Sequence, residues 1–473
     1  MPKLDNAVKL LFCTDMKPNL IFAGLGFAAI CGGAAAFSGL SQPIIATIAI
    51  TSLTAFWWAT EALPIPATSL VPFIMFPLAG VLTQKEAAAA LGSYVIILLM
   101  ASLMLSKALE KSALHERLAL YMIRLVGTSG RRLVFGFMLA AAILSMWISN
   151  MATTLMLATM ALAIISRADN KELAVPLLLG IAYAASFGGT GTLIGTPPNL
   201  IFAENYFSVA GVEYSFSKWM KTALPAVIIA IPLMGFWLTR NMKGVSAPEL
   251  RNPGPWRSDE ARTLIIFGVA ILAWITRAEP FGGWSGLLNM PNAGDSTVAV
   301  AAVVIMFLVP NGMKDDRKGA LLDWKTANDI PWGLLLLFAG GICIASAFRQ
   351  SGLADVIADN LSGLTNAPVF VMMLGLCLSV TFLTEMTSNT ATANLLMPLL
   401  AAVAAGSGIA PELLMIPAVI SCSCAFMLPV ATAPNAIVYA TGHVTMGRMI
   451  REGVILNIMV ATIVASVCWV MLR

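Results

Sequence analysis

Apolar residues in this chain fall into long, nearly unbroken windows, not into the alternation of strands or the single stripe of a soluble helix. Nine windows, at about 19–37, 43–56, 64–82, 93–109, 223–238, 264–275, 298–309, 332–348 and 453–472, each read as one helical crossing; a bilayer core takes roughly 20 residues of helix. Windows 173–202 and 413–440 also read as crossings, interrupted by Gly and Pro. Windows 133–165 and 368–403 are too long for one crossing and are read as re-entrant hairpins, entering and leaving on the same side. Eleven crossings then remain, and the two termini lie on opposite faces.

Composition narrows the class. Apolar residues make up 59% and charged residues 11%, against about 25% charged in a soluble domain, and the mean hydropathy is +0.85. A soluble enzyme is excluded. The 37 Gly and 25 Pro suit helices that break where backbone lines a cavity. The net charge of +4 comes with no dense basic run, so no nucleic-acid partner is expected. Seven cysteines, mostly inside apolar windows, do not form a disulfide framework. His115 and His443 sit in basic loops without a His-Glu-x-x-His or Cys-His cluster, so no catalytic metal is expected. Asp5 and Asp15 and the lack of a small-residue cleavage site between Met1 and Leu20 argue against a removable signal peptide.

Basic residues test the topology. With the amino terminus in the cytoplasm and the carboxyl terminus outside, 22 of the 28 Lys and Arg fall in inside loops, among them Lys3, Lys9, Lys17, Lys107, Lys111, Arg131 and Arg132. Treating either hairpin as a full crossing would reverse every later loop and spoil this positive-inside bias.

The second half echoes the first. Ser149-Asn150-Met151-Ala152-Thr153 matches Ser388-Asn389-Thr390-Ala391-Thr392 at an offset of 239, which also places Ser145 on Thr384. Gly195-Thr196-Pro197-Pro198-Asn199-Leu200-Ile201 matches Ala431-Thr432-Ala433-Pro434-Asn435-Ala436-Ile437 at 236. An odd number of crossings separates the copies, so they are inverted in the bilayer. The basic stretch with Lys111, Arg117 and Arg124 against the acidic one with Asp355 and Asp359 agrees. Inverted repeats with broken helices mark secondary transporters, whose site lies where the copies meet at the midplane.

Ser and Asn are good helix caps, so each Ser-Asn pair is expected to start the returning half of its hairpin, with free N–H groups and a dipole that favour an anion. Gly188-Gly189-Thr190-Gly191, Gly195 to Asn199, and Pro429 to Asn435 break their helices, and the freed carbonyls are hard ligands for a cation such as sodium. Neither Lys nor Arg lies in any of these motifs, so cations bound beside a dianion are the natural compensation. Each negative charge entering an inside-negative cell costs about 2.3 kcal/mol at 100 mV, which two sodium ions cancel for a dianion. Glu385, mated with Met146, is either a hairpin anchor, the favoured reading, or a proton site; Glu61, beside Trp57 and Trp58, reads as interfacial.

At these residues the chain resembles the divalent anion/sodium symporter (DASS) family, the INDY-type dicarboxylate transporters, over nearly its whole length. The resemblance implies an all-α polytopic fold and a homodimer in the bilayer. It also implies sodium-driven uptake of C4-dicarboxylates such as succinate, by an elevator motion. Sulfate, tricarboxylate or tartrate on the same scaffold, sodium-independent exchange, and an anion channel are the alternatives. It implies a scaffold from residues 1–130 and 241–366, with arm helices near 112–126 and 352–364. The transport parts would be 131–240 (hairpin 131–168, broken helix 172–203) and 367–473 (hairpin 367–404, broken helix 411–440). One sodium would be held by Ser145, Ser149, Asn150 and Gly195, the other by Thr384, Thr387, Asn389 and Ala431. The substrate would meet Asn150, Thr196, Ser388, Asn389 and Thr390. Met151 stands where the family has Thr, and Ala433 where it has Pro.

Overall fold

The structure is a computed structural model, described here over residues 17–128, 130–166, 171–242, 253–313, 318–361 and 368–473. Lys3, Lys9, Arg167, Lys243, Arg251, Lys314 and Arg317 of the inside set, and the ends of the 131–168 hairpin and 352–364 arm, lie outside the described residues.

Each apolar window becomes helix. In chain order the principal helices are α1 (Pro18–Phe37), α2 (Gln42–Thr60), α3 (Tyr94–Ser112), α4 (Leu114–Val126), α5 (Gly130–Ser145), α6 (Asn150–Ile165), α7 (Ala174–Gly188), α8 (Pro197–Ala210) and α9 (Phe216–Thr239). The second half continues with α10 (Ser258–Ile275), α11 (Asp295–Leu308), α12 (Trp332–Ser351), α13 (Leu353–Leu361), α14 (Val369–Leu383), α15 (Asn389–Ser407), α16 (Pro411–Ser421), α17 (Ala433–Ala440) and α18 (Met446–Met471). Among the described residues, eight helical stretches are long and apolar enough to cross a membrane: 18–37, 42–60, 84–112, 174–191, 216–239, 332–351, 389–407 and 446–471. The chain is an integral membrane protein. The window 64–82 is split by its prolines into Ile65–Thr68 and Val71–Leu78.

Both overlong windows are divided into two helices. The first divides at 146–149 into α5 and α6, which pack on each other, and the second at 384–388 into α14 and α15. Helix α7 is buried on nearly every side, the position of a helix that is apolar all round. Its last residue, Gly188, lies so close to Ala142 of α5 that a side-chain carbon there would overlap the Ala142 backbone.

The two halves interlock crosswise. Helix α6 of the first hairpin packs against α17 of the second broken helix, and α15 of the second hairpin packs against α8 of the first. At the periphery α1 and α2 pair with each other, and α1 exposes Phe22, Ile30 and Phe37, an outward face suited to lipid. The amphipathic α4 buries Leu114, Leu120 and Ile123 and exposes Glu116, Tyr121 and Arg124. Arg117 of α4 pairs with Glu260 of α10 at 2.9 Å, both nearly inaccessible, and donates to the carbonyls of Pro253, Gly254 and Pro255. This tie joins the first half to the start of the second.

Candidate functional site

Four helices begin at the two sequence motifs: α6 at Asn150, α8 at Pro197, α15 at Asn389 and α17 at Ala433. Pro in the first turn of α8 and α17 removes no hydrogen bond, because the first N–H groups of a helix have no partner inside it. Between α7 and α8, and between α16 and α17, the chain unwinds, and one asparagine in each half holds the unwound stretch. Asn199 Nδ2 donates to the carbonyls of Gly189 (3.3 Å) and Thr192 (2.7 Å). Asn435 Nδ2 donates to those of Ala425 (3.0 Å) and Leu428 (3.0 Å). The two pairs of acceptors correspond residue for residue at the offset of 236, so the duplication extends to individual hydrogen bonds.

In the first half the Ser145, Asn150 and Gly195 oxygens converge. A methyl placed on Gly189 would stand 2.8 Å from the Gly195 carbonyl oxygen and 2.9 Å from Asn150 Oδ1. One placed on Gly195 would stand 3.0 Å from the Ser145 carbonyl oxygen and would overlap the Gly189 carbonyl. Asn150 Oδ1 is buried without a hydrogen-bond partner among the described residues. A cluster of uncharged oxygens around a space that only glycine leaves open matches the preference of a small hard cation. Ser149 lies at the edge of this group: it is exposed, and its hydroxyl accepts from Ala152 N at 3.2 Å as the cap of α6. The Ser145 hydroxyl itself bonds the Ala142 carbonyl.

In the second half Thr384 Oγ1 lies 2.8 Å from Asn389 Oδ1 and 2.9 Å from the Cys422 carbonyl, a three-oxygen cluster. Thr387 pairs with Thr392 at 2.6 Å, and Ala431 bonds through its N–H to the Leu428 carbonyl.

Thr196 and Ser388 differ from their mates. Thr432 caps α17 by accepting from Asn435 N at 3.2 Å, and Ser149 caps α6, but neither Thr196 nor Ser388 makes a side-chain cap bond. The Thr196 hydroxyl instead lies 3.4 Å from that of Ser423, across the boundary between halves. Thr390 follows at the buried start of α15, whereas its mate Met151 is exposed.

Each hairpin is also tied to its own broken helix. In the first half Thr192 Oγ1 donates to the Met146 carbonyl at 2.5 Å. In the second, Glu385, the mate of Met146, receives N–H groups from Phe426 (2.6 Å), Met427 (2.9 Å) and Leu428 (3.0 Å), and the side-chain amide of Asn457 (2.8 Å). These contacts are those of a hairpin anchor. Sequence reasoning missed Asn457 and Ser423, which have no repeat mate to flag them; the paired roles of Asn199 and Asn435 were signalled by the shared offset.

Comparison with known proteins places this arrangement. Residues 55–415 match the family described as citrate transporter, CitMHS. A sodium-dependent dicarboxylate transporter, SdcS, of Staphylococcus saprophyticus is 37% identical over 452 residues, covering 91% of this chain and 86% of that protein. Its namesake in Staphylococcus aureus strain USA300 is 34% identical over 444 residues, covering 89% and 85%. Among solved structures, the YdaH transporter of Alcanivorax borkumensis superposes with a TM-score of 0.56 at 13% identity, over 91% of this chain and 98% of that one. Neisseria gonorrhoeae MtrF gives 0.53 at 16% identity, over 91% and 94%; these two likenesses concern the fold alone. With most of its length inside the family pattern and such relatives along nearly all of it, the chain belongs to the CitMHS/DASS-like family of transporters.

Proposed function

We propose that this protein is a sodium-coupled symporter that brings C4-dicarboxylates of the succinate type into the cell. The observation that carries the reading is the meeting of the two halves of the repeat at Thr196 and Ser423, beside helix starts where neither Thr196 nor Ser388 spends its hydroxyl on a cap bond. Free N–H groups and hydroxyls from opposed helix ends suit the two ends of a small dianion. The relatives named as sodium-dependent dicarboxylate transporters support the same substrate and coupling.

In this reading Asn150, Thr196, Ser388, Asn389 and Thr390 meet the carboxylates. Ser145, Ser149, Asn150 and Gly195 hold one sodium ion, and Thr384, Thr387, Asn389 and Ala431 the other. The family description as citrate transporter raises a tricarboxylate as the competing cargo. The absence of Lys and Arg from all four motifs favours the smaller charge.

The proposal extends to the motion. The two hairpins are re-entrant, leaving eleven crossings with the amino terminus inside and the carboxyl terminus outside. Residues 131–240 and 367–473 travel as the transport part against a scaffold of 1–130 and 241–366, in a homodimer. Hydrogen bonds of Asn199, Asn435 and Glu385 within the transport part support its movement as one body.

Purified protein in liposomes tests the function. Labelled succinate should accumulate with an inward sodium gradient and not when choline replaces sodium, and excess citrate should compete weakly. Uptake that persists in choline would indicate exchange, unitary currents in a planar bilayer would indicate a channel, and preferential citrate uptake would reassign the cargo.

A further inference from the structure

Polar ties between the part read as moving, 131–240 with 367–473, and the part read as fixed, 1–130 with 241–366, gather in one region. Away from the chain's own passages between the parts, the hydrogen bonds and ion pairs that join them among the described residues are those of Glu204 with Ser93, Glu213 with Arg277, Phe216 with Asp295 and Lys221 with Glu279. They lie beside the starts of α3, α9 and α11 and the end of α10, on the face read above as external. Arg277 is the hub. Its Nε lies 2.6 Å from Asp295 Oδ1, one terminal nitrogen lies 3.2 Å from Glu213 Oε2, and the other donates to the Ala293 carbonyl at 3.3 Å. The second oxygen of Asp295 accepts the Phe216 N–H at 3.1 Å.

The same corner reaches the turn of the first hairpin. Phe216 opens α9 and stacks on Trp274 of α10, with ring centroids 5.1 Å apart. Trp147, between α5 and α6, stacks on Phe216 at 6.0 Å and on Trp274 at 6.5 Å, and meets Phe267 edge-on at 5.6 Å. Trp147 and Phe216 belong to the part read as moving, Trp274 and Phe267 to the fixed one. An ion pair needs its charged atoms within about 4 Å, so sliding by several ångströms separates Glu213 from Arg277. Burial is arranged for that separation. Arg277 and Asp295 are 9% and 4% exposed and both belong to the fixed part, so they stay paired when Glu213 leaves, and no buried charge is stranded. The Glu213 side chain, which travels, is already 33% exposed. Arg117 and Glu260, a tie inside the fixed part, are by contrast both sealed from water.

We propose that Glu213, Arg277 and Asp295 form an external clasp that holds the transport part against the scaffold in the state described here and opens once in every transport cycle. Its strength sets how fast the loaded protein turns over, and not how tightly it binds sodium or succinate. This rests on the two-part reading above. The releasable bond is the one between Glu213 and Arg277, and the aromatic seat of Trp147 carries the same release to the hairpin turn beside Ser149 and Asn150.

The test locks the clasp and, separately, loosens it. Glu213 Oε1 lies 3.3 Å from where a side-chain carbon on Gly294 would stand, so Glu213→Cys with Gly294→Cys sets two thiols across the boundary. A bifunctional thiosulfonate applied to the purified protein links them, with wild type treated alike as the control for native cysteines. The link should lower sodium-driven succinate uptake in liposomes at least tenfold, a reductant should restore it, and sodium-dependent thermal stabilisation should remain. Glu213→Gln should raise turnover by about threefold, the effect of a partly exposed pair, with KM for succinate and half-saturating sodium within twofold of wild type. Arg448→Gln breaks a tie to Glu452 inside the moving part and should leave turnover within twofold. Uptake that survives the link, a lost sodium response in the linked protein, or a turnover in Glu213→Gln that is unchanged or lowered each overturns the clasp; the Gln variant decides should the cysteine pair fail to fold. A second lock tests the two-part reading itself. A side-chain carbon on Gly341 of α12 would lie 3.5 Å from Asn394 Cβ of α15, a disulfide distance, so Gly341→Cys with Asn394→Cys joins the parts elsewhere. Uptake stopped by this disulfide but not by the first link removes the clasp alone, whereas uptake that survives both removes the two-part motion. A wild type without sodium-driven uptake overturns the functional reading instead.

Discussion

The Thr196 hydroxyl lies 3.4 Å from the Ser423 hydroxyl, and this contact joins residues 227 positions apart in the two halves of the duplication. Both side chains are buried. Thr196 opens α8 with an extended backbone, φ −145° and ψ 141°, nearly the same as Thr432 at −143° and 151°. Equal backbones with unequal side-chain partners mean that the difference lies in what the hydroxyl is left to do. A hydrogen bond to a charged group contributes about 1.5–3 kcal/mol. Thr196→Val should therefore raise the KM for succinate by about tenfold or more at saturating sodium, while Thr432→Val, which loses only a cap, should lower thermal stability by about 1 kcal/mol and leave KM near wild type. Matching KM values in the two variants would count against Thr196 as a substrate ligand.

Asn199 and Asn435 each hold two carbonyls of unwound chain. Replacing either with Ala leaves two buried acceptors without a donor, at about 1–3 kcal/mol apiece. Both Ala variants should melt several degrees lower in detergent, and by similar amounts, because the geometry is repeated. A large loss in one and none in the other would show that only one half depends on its asparagine.

Much of this was legible in the sequence because the duplication samples the same constraints twice. Ser149-Asn150 with Ser388-Asn389, and Pro198-Asn199 with Pro434-Asn435, marked the four helix starts, and the overlong windows located both helix breaks. Helix ends were less legible. Helix α10 begins at Ser258 and not near 264, because Asp259, Glu260 and Arg257 form a charged first turn that an apolar window leaves out. Contacts made only once were illegible: Ser423 and Asn457 are small polar residues in apolar runs, and their meaning comes from which distant chain they face.

Glycine placement separates folding from ion binding. A methyl on Gly188 would overlap the Ala142 backbone, which has no room to yield, whereas a methyl on Gly195 would enter the oxygen cluster of Gly189 and Ser145. Gly188→Ala should fail to accumulate as folded protein. Gly195→Ala, whose methyl would overlap the Gly189 carbonyl, should also lose thermal stability, and the protein that folds should show a clearly raised half-saturating sodium. Size-exclusion behaviour followed by sodium titration checks both, and normal sodium affinity in Gly195→Ala would move the cation elsewhere.

The loop contact of Lys111 with Asp323, at 2.6 Å, joins α3 to the segment before α12. The Lys111 ammonium, together with the Thr326 N–H, draws the Asp323 carboxyl from an ordinary 3.8 down to about 2. A carboxyl whose folded value is depressed stabilises the fold above its unfolded value, and that contribution disappears as pH falls through the folded value. The gain is therefore complete above about pH 4 and gone below about pH 2. Both side chains are partly exposed, which limits the pair to about 1 kcal/mol or less. Asp323→Asn should melt slightly below wild type at pH 7, with the gap closing as the pH is lowered from 4 towards 2. A gap that stays constant over that range would assign the loss to packing.

Met151 and Thr390 occupy equivalent places in the repeat but have unlike surroundings: Met151 is 45% exposed and Thr390 is 9% exposed. Thr390 follows Asn389 at a buried helix start, where its hydroxyl faces little competition from water. Met151 follows Asn150 on an open face, where water competes for any added hydroxyl. A neutral hydrogen bond contributes about 0.5–1.5 kcal/mol net, and the lower end applies to the exposed site. Met151→Thr should therefore lower KM for succinate by about twofold to threefold, whereas Thr390→Val should raise it by about tenfold. The same two variants assayed with citrate give the specificity. Because Met151 is the bulkier residue on the open side, its replacement should widen acceptance and narrow the preference for succinate over citrate. An unchanged ratio between the two substrates in Met151→Thr would show that this face of α6 stays clear of the cargo.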